Sequence, residues 1–559
     1  MSDTFPPSAP NHTDRFRRLL SHRSWQLYSA LALSTTLAGA GIYWLTRSNK
    51  DKKDHHSVPE RPGAPLPSVE EYDSLSDETV ARLSPEERHE IAHRLKSRGN
   101  AAFSAKQWET AADFYTQALR FEICPVFYAN RGACYSNLGL TDLVLHDCNE
   151  ALKLDPCYVK ALLRRAHAHE KLGVLGEALY DFTCVCLLEG FRNESAARAM
   201  ERLLKQITEA KAKEMIKAKP PRLPSPTFVS AYLDSFKSEM RPSLSEAGNS
   251  GDAFYARAYR AMQEKDYDVA SSYCDKAIDL GCSSKYLARA YNMQGTFLFL
   301  KGLAGAAMER FQRSIAADPG YVQSYIKLSS VYLEQGNYVE TYKQFEQAIA
   351  LERDDPDIYY HRGQAEYIGG NYEAAARDYV KTIELNDTFV YAHIQLGVVQ
   401  YKLGQTATAM ATFLKTLAKF PDSSDVRNYY GELLADQQKI PEATAMFDKA
   451  IALDPHNPLP LINMAMLMYQ AMANVDEALR LCKQALEVDP ACDAAVASLA
   501  QILLEQGKPE EAIKYYEMAI GLARTQSELE HAISYVEATK SQIRFAKEHP
   551  QVAHSLRGD

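Results

Sequence analysis

The chain has 559 residues and a formal net charge of −9, with 46% hydrophobic and 24% charged residues. This length predicts about three or four ordinary domains, or one long repeat array. The acidic balance argues against general nucleic-acid binding, which requires a basic surface.

The N-terminus has the composition of a membrane anchor preceded by a short polar segment, residues 1–24. Residues 25–45 form an apolar run without charge from Leu27 to Leu45, which is long enough to cross about 30 Å of hydrocarbon as a helix. A cleaved secretory signal is the alternative interpretation, because the run contains an Ala-Gly-Ala sequence. Cations flank both ends of the run, so the positive-inside rule does not settle its orientation.

Residues 46–85 are rich in charge and proline and poor in large apolar side chains. Such a composition cannot bury enough apolar surface to offset the entropy of ordering. We therefore expect a largely disordered linker between the anchor and the rest of the chain.

Internal repeats begin after this linker. Gly99, Ala111, Tyr115 and Ala118 set a spacing of small and aromatic residues that returns at steps of about 34 residues, which is the tetratricopeptide repeat (TPR) pattern. In this pattern small residues let the two helices of a hairpin approach, and we expect the aromatic residue to fill the next hairpin. We count three repeats in residues 86–190.

A second array follows an interruption. Residues 191–250 lose the repeat and predict a helical linker and loop, and residues 251–525 resume it for about eight repeats. Residues 526–559 predict a terminal helix and tail, which we interpret as a solvating cap. Within the interruption, Phe228–Phe236 is amphipathic, and it either packs on a repeat or occupies a groove as an internal ligand.

The predicted fold class is therefore all-α. It is a TPR superhelix (α-solenoid) in two arrays, with an N-terminal single transmembrane helix. One repeat cannot bury its own apolar face, so neighbouring repeats must stack. We expect the first helix of each hairpin to line a concave groove and the second helix to lie outside it.

Five polar side chains occupy first-helix positions in the first array: Lys96 and Asn100, then Asn130, then Lys160 and Arg164. Residues four apart share one helix face, so all five should project into one groove. Arginine can hold a carboxylate through two parallel N–H bonds, whereas lysines act as point charges. Two ammonium groups, one guanidinium and two amides predict a site for a pair of carboxylates, as occurs where a chain terminus meets an acidic last side chain.

This constellation resembles the dicarboxylate clamp of TPR co-chaperones, which holds the C-terminal Glu-Glu-Val-Asp of cytosolic heat-shock chaperones. The chain from Ser24 onward is similar to a narrower family, the TPR-type preprotein receptor (fungal type) of the mitochondrial outer-membrane translocase. The stretches that carry this similarity include "PVFYANRGACY", "VKALLRRA" and "NPLPLINMAMLMYQ".

The resemblance implies a single-pass protein of the mitochondrial outer membrane, with its large domain in the cytosol and its N-terminus in the intermembrane space. It implies chaperone tails on the first array, other translocase subunits as partners, and hydrophobic preproteins with internal targeting signals on the second array. For the preprotein groove we expect side chains at corresponding first-helix positions of the second array. These are Ile326, Tyr360, Gln364, Ile394, Asn428 and Asn463.

The sequence contains no recognisable catalytic motif, neither a Gly-rich phosphate loop nor a nucleophile elbow. The ten cysteines follow no spacing rule, and we interpret them as small apolar residues in a reducing compartment. We therefore predict a protein that is not an enzyme and has no cofactor, no bound metal and no nucleic-acid partner. A membrane-anchored TPR co-chaperone scaffold at another organelle remains the alternative function.

Overall fold

The computed structural model describes residues 75–237 and 246–557, and these residues form helices joined by turns. The polar segment 1–24, the expected anchor at residues 25–45 and most of the expected linker lie outside the described residues. Within the described ranges, no helix has both the length and the hydropathy needed to cross a membrane.

The chain divides into two compact units. Of the described residues, one unit contains residues 75–213 together with those from Ile533 onward, and the other contains those from Glu214 to Ala532. The described helices of the first unit, before the helix that leads out of it, are a short helix and three hairpins. They are α1 (Asp77–Arg82), α2 (Pro85–Ser104), α3 (Trp108–Phe121), α4 (Pro125–Leu138), α5 (Thr141–Leu154), α6 (Val159–Lys171) and α7 (Leu175–Leu188).

The residues just before the first hairpin differ from the expected disordered linker. Ser76 caps α1, and Ser84 forms a capping box that starts α2. Val80 is 6% exposed and packs in one cluster with Leu95 and Phe121. Capping and apolar packing therefore order the end of the expected linker, from about Ser76 onward.

In the described residues, the second unit has a short helix followed by eight hairpins. They lie in sequence between α8 (Glu194–Ala218) and α26 (Gln526–Glu548), the two helices whose residues are divided between the units. We call the helices of each hairpin its first and second helix. In chain order they are α9 (Pro226–Asp234), α10 (Gly251–Gln263), α11 (Tyr267–Leu280), α12 (Ser284–Leu300), α13 (Ala304–Ala317), α14 (Val322–Glu334), α15 (Tyr338–Leu351), α16 (Pro356–Ile368), α17 (Tyr372–Leu385), α18 (Val390–Lys402), α19 (Thr406–Lys419), α20 (Ser424–Asp436), α21 (Ile440–Leu453), α22 (Pro458–Met472), α23 (Val475–Val488), α24 (Asp493–Glu505) and α25 (Pro509–Leu522).

In five of the described hairpins a glycine of the first helix faces an aromatic ring of the second helix. A Cβ atom built on Gly99 would lie 2.8 Å from Cε1 of Tyr115, and one on Gly397 would lie 2.7 Å from Cε2 of Phe413. The aromatic residue therefore packs on the glycine of its own hairpin. Tyr115 also shares a cluster with Cys134 of the following hairpin, so the ring joins both, whereas the spacing alone suggested only the second contact.

A buried ion pair joins the two helices of several hairpins. Arg131 binds both carboxylate oxygens of Asp147, at 2.8 and 2.7 Å, and Arg362 binds Asp378 in the same way, at 2.8 and 2.6 Å. In both cases the arginine directly precedes a glycine of the first helix, Gly132 or Gly363. These pairs are a structural feature of the repeat that the small-residue pattern did not indicate.

The C-terminal helices, from Ile533 into α27 (Pro550–Arg557), belong to the first unit rather than being only a solvating cap. Phe545 is 2% exposed inside the core cluster of the third hairpin. The hydroxyl of Tyr180 donates to Glu548 at 2.6 Å, and Arg544 binds Glu177 at 2.9 Å. These contacts join residues far apart in sequence, so local patterns could not indicate them.

All ten cysteines lie in the described residues and all are free. Cys148, Cys274 and Cys482 are fully buried among apolar side chains. Burial raises the pKa of Cys148 and Cys482 to about 12, so these thiols remain protonated and unreactive at neutral pH. Their role here is that of small core residues.

Candidate functional site

The five predicted clamp residues lie on α2, α4 and α6, which are the first helices of three successive hairpins. Lys96 and Asn100 are one turn apart on α2, and Lys160 and Arg164 are one turn apart on α6. Asn130 lies on α4, which contacts α6 directly. Each of the five side chains is at least partly exposed, so none is a core residue.

The amide of Asn100 is oriented by the aromatic residue of its own hairpin. The Tyr115 hydroxyl donates to Oδ1 of Asn100 at 2.7 Å. Because the amide oxygen already accepts this hydrogen bond, the NH₂ group is left to donate to a ligand. Burial raises the pKa of Tyr115 to about 12, so the hydroxyl keeps its proton at neutral pH. Sequence reasoning treated Tyr115 as packing only and missed this orienting contact.

Arg164 carries a buried hydrogen-bond donor without an acceptor. Its Nη1 atom has no hydrogen-bond partner within the described part of the chain. Buried polar atoms are nearly always paired, so such an atom calls for an explanation. The guanidinium also acts electrostatically on Tyr115 and Cys134, which places it close to the residue that orients Asn100. An incoming carboxylate would satisfy this donor.

The positive charge of the site comes from Lys96, Lys160 and Arg164, none of which forms an ion pair with the described residues. His93 lies near Lys96 but adds no charge at neutral pH. Partial burial lowers the pKa of this imidazole, and the Lys96 ammonium lowers it further. The three cations are therefore available to an external anion.

A cluster beside this site has the composition of a metal-binding triad. His89, His93 and Glu122 place one ligand atom each within 4.8 Å of one another. His89 Nδ1 is hydrogen-bonded to Glu122 Oε2 at 2.9 Å, and the two imidazole rings lie 4.3 Å apart. This hydrogen bond accounts for the close approach, so the arrangement requires no metal ion.

Three of the expected preprotein-groove residues are core residues, which corrects the prediction. Ile326 and Ile394 are fully buried, and Tyr360 is 2% exposed. Ile326 packs against Phe345 of its own hairpin, and Tyr360 lies in one cluster with the second-helix residue Tyr379. These side chains fill the spaces between helices and present no surface to a ligand.

The expected amide residues of the groove are engaged in polar contacts, either between neighbouring first helices or within one of them. Nδ2 of Asn463 donates to Oδ1 of Asn428 at 3.0 Å and to Glu432 at 2.5 Å. Asn428 is only 3% exposed, so it is also a buried residue. Gln364 pairs with His361 at 3.1 Å, and like Asn463 it is half-buried. Of the six expected residues, Gln364 and Asn463 keep some exposed surface.

The amphipathic stretch Phe228–Phe236 lies on first helices of the second array. The ring of Tyr232 is 5.9 Å from that of Phe299 on α12, and the ring of Phe236 stacks on that of His361 on α16 at 4.1 Å. Of the two interpretations left open by the sequence, docking onto a single repeat does not describe these contacts. The stretch crosses several repeats.

Family models match the second array. TPR repeat models match residues 330–367 and 363–404, and tetratricopeptide repeat models match residues 394–458 and 471–533. These matches agree with the helical hairpins of the structure and confirm the TPR fold class.

Two similar proteins and one solved structure cover most of the chain. The human mitochondrial import receptor subunit TOM70 is 30% identical, over 94% of this chain and 93% of that protein. The protein of the same name from Saccharomyces cerevisiae strain S288c is 30% identical, over 83% and 82%. The crystal structure of yeast Tom70 is 31% identical with a TM-score of 0.54, over 84% of this chain and 99% of that chain. The chain therefore belongs to the TOM70 family of mitochondrial import receptor subunits.

Proposed function

We propose that this chain is a single-pass receptor of the mitochondrial outer membrane that works with cytosolic heat-shock chaperones. Residues 25–45 anchor it, the N-terminus lies in the intermembrane space, and both arrays face the cytosol. The first array holds the acidic C-terminal tail of a chaperone, and the second array binds the hydrophobic preprotein and passes it to other subunits for transfer to the translocase pore.

The main support for chaperone binding is a contrast between two groups of cations on the first helices of the first array. Arg131 and Arg165 are held by buried aspartates, whereas Lys96, Lys160 and Arg164 have no anionic partner in the described chain. Uncompensated cations on adjacent first helices suit a ligand with two carboxylates.

Each side chain then has a role set by its chemistry. Arg164 binds one carboxylate through two N–H bonds, and Lys96 and Lys160 attract the ligand as point charges. Asn100 donates through the NH₂ group that Tyr115 leaves free. Asn130 supplies a second amide, so hydrogen bonds as well as charge contribute to recognition of the ligand.

Membership in a family of import receptors favours this function over an anchored scaffold at another organelle. A receptor for preproteins needs an extended binding surface, and a long array of stacked repeats can provide one. Binding accounts for these features, and none of them calls for catalysis.

Titration of the purified full-length chain in detergent with two peptides tests the chaperone dock. One peptide is an acidic chaperone tail with a free C-terminal carboxylate, and the other is the same tail with an amidated terminus. We expect calorimetry to detect binding of the free acid and a loss of affinity of at least about tenfold on amidation, since one charge-assisted carboxylate contact is removed. Equal binding of both peptides would show that the cations do not bind the C-terminal carboxylate.

A further inference from the structure

Residues 223–237, which we call the inner segment, form no part of the repeat pattern but lie against it. Ser225 caps the nine-residue helix α9, whose first residue is Pro226. A helix this short is not stable alone in water, so its structure depends on the surface beneath it. Just before it, the ammonium of Lys219 donates to the carbonyl oxygens of Ile520 and Ala523, both at 2.6 Å.

Apolar side chains of the inner segment enter the row of first helices. Val229 is fully buried and Phe236 is 9% exposed. Leu223 and Val229 cluster with residues of α10 and α12, and Phe236 clusters with residues of α14 and α16. The inner segment thus crosses four successive first helices, as a peptide bound in a helix-lined groove would do.

The end of the inner segment is held by charge. The backbone N–H of Lys237 donates to Asp357 at 2.8 Å, and its ammonium binds Asp355 at 2.5 Å. Asp355 and Asp357 are 1% and 3% exposed, so Lys237 meets a buried acidic pair. The ammonium of Lys327 lies 4.8 Å from the centre of the Phe236 ring, which gives the aromatic residue a cation–π contact.

The contact between the inner segment and the first helices also buries polar atoms that lack a hydrogen-bond partner. Among the described residues, the hydroxyl of Tyr232 and Oε1 of Gln323 are buried without a hydrogen-bond partner. Burial also raises the pKa of Asp357 to about 6. Covering such groups costs free energy that an apolar seam would not cost. These costs offset part of the free energy gained by the apolar and charged contacts, which favours a reversible contact.

We propose that the inner segment is a displaceable internal ligand of the second array, and that its anchors define the preprotein segment that replaces it. That ligand is an amphipathic peptide with two aromatic residues four positions apart, followed directly by a lysine or arginine. The aromatic residues take the places of Tyr232 and Phe236, and the cation takes the place of Lys237 at Asp355. The inference rests on the proposed preprotein role of the second array and names its substrate class.

A fluorescent peptide with the sequence of residues 221–237 tests the proposal on the full-length chain in detergent. In the variant Tyr232→Ser/Phe236→Ser the tethered inner segment is released, and we expect the peptide to bind. Wild type should bind it at least about tenfold more weakly, because the peptide can bind only the small fraction of molecules whose inner segment has left the groove. The variant Asp234→Asn, which changes an exposed residue of the same helix, should behave like wild type.

One further protein variant and one further peptide show whether the native peptide binds at the expected place. Adding Asp355→Asn to the released variant should weaken peptide binding, because the lysine loses its carboxylate. A peptide with serine at both aromatic positions should not bind at all. Failure of the native peptide to bind a folded released variant would show that the inner segment is a fixed structural element, and the proposal would be wrong.

A measurement on wild type keeps the test independent of the released variant. We expect addition of an inner-membrane carrier precursor to increase amide hydrogen exchange in residues 226–237 and to displace the fluorescent peptide from the released variant. Precursor binding without either effect would overturn the displaceable ligand and leave the receptor function standing. Absence of precursor binding to both proteins would instead contradict the preprotein role itself, and the inference would fall with it.

Discussion

Arg164 and Arg165 are neighbours on α6, but only Arg165 is neutralised by the described chain. Nε and Nη2 of Arg165 donate to the two carboxylate oxygens of Asp181 at 2.9 and 2.7 Å. Nη1 of Arg164 is buried without an acceptor. One residue along a helix is a rotation of about 100°. The repeat therefore uses Arg165 to join its two helices, whereas a donor of the preceding Arg164 stays without an acceptor in the described chain.

Replacement of Arg164 by alanine should weaken binding of the free-acid chaperone tail by about 2–4 kcal/mol, because it removes a charged, bidentate contact. The melting temperature should change little, since the side chain has no ion-pair partner in the described chain. Calorimetry and thermal unfolding measure the two quantities. An Arg164→Ala protein that binds the tail as well as wild type would refute the clamp.

The matched control is Arg165→Ala. This change leaves the carboxylate of Asp181, which is 1% exposed, without its cation. Breaking a buried pair from one side costs about 3–5 kcal/mol of folding stability. We expect a large fall in melting temperature and, below that temperature, tail binding near the wild-type value.

Replacement of Tyr115 by phenylalanine should weaken tail binding by about 1 kcal/mol, the net value of a typical hydrogen bond. Without the hydroxyl, the amide of Asn100 is no longer held with its NH₂ group free to donate. The ring and its packing on Gly99 remain, so the melting temperature should stay close to that of wild type. The double variant Tyr115→Phe/Asn100→Ala provides the check: if Tyr115 acts through Asn100, it should bind no more weakly than Asn100→Ala alone.

The contact between Gly397 and Phe413 predicts a strict requirement for glycine. A Cβ atom at Gly397 would lie 2.7 Å from the ring, so Gly397→Ala should lower the free energy of unfolding by about 1–3 kcal/mol through overpacking. Gly305 is also helical but has open space around it, and Gly305→Ala should be neutral or slightly stabilising. Denaturant unfolding of both variants compares them directly, and equal effects would contradict the packing argument.

The sequence predicted the contacts between residues that are close together along the chain. A hairpin closes within one repeat, so spacing alone locates partners such as Gly99 and Tyr115 and the register of Lys160 and Arg164. The spacing did not distinguish inner-surface positions from core positions in the second array. Ile326 and Ile394 are apolar at such positions, and they pack between helices because burying an aliphatic side chain is more favourable than exposing it.

Contacts between distant parts of the chain could not be predicted from the sequence either. No local pattern indicates that Phe545 completes the core of the third hairpin, or that Lys237 meets a buried acidic pair. Such contacts depend on where stacked repeats bring distant segments together. The same reasoning explains why the composition of residues 46–85 suggested disorder up to the first hairpin: the anchoring of Val80 comes from repeat residues that follow it.

Deletion of residues 1–46 should yield a protein that stays in solution without detergent. The deletion removes the apolar run at residues 25–45 and no residue of the clamp or the two arrays. We expect unchanged affinity for the free-acid tail, measured by calorimetry, and an unchanged melting temperature. Loss of folding on this deletion would contradict a separate anchor.

The imidazole of His361 should report on the inner segment. Burial lowers its pKa to about 3, and the Phe236 ring stacks on it at 4.1 Å. The folded-state pKa lies below the ordinary value of about 6.5, so the stability gained by burying this neutral ring is present above that pH and is lost as the pH falls. Asp357 contributes in the opposite direction, because burial raises its pKa to about 6 and its carboxyl is most easily buried when protonated.

Proton NMR separates these two groups, since it follows the imidazole itself. In wild type and in Asp234→Asn the His361 resonance should not shift between about pH 5 and pH 8. In Tyr232→Ser/Phe236→Ser the ring is exposed to water, and its resonance should titrate with a pKa near the ordinary value. If His361 titrated near neutral pH in wild type as well, the inner segment would not cover it in solution. The proposal would then lose the stacking contact between Phe236 and His361 on which it partly rests.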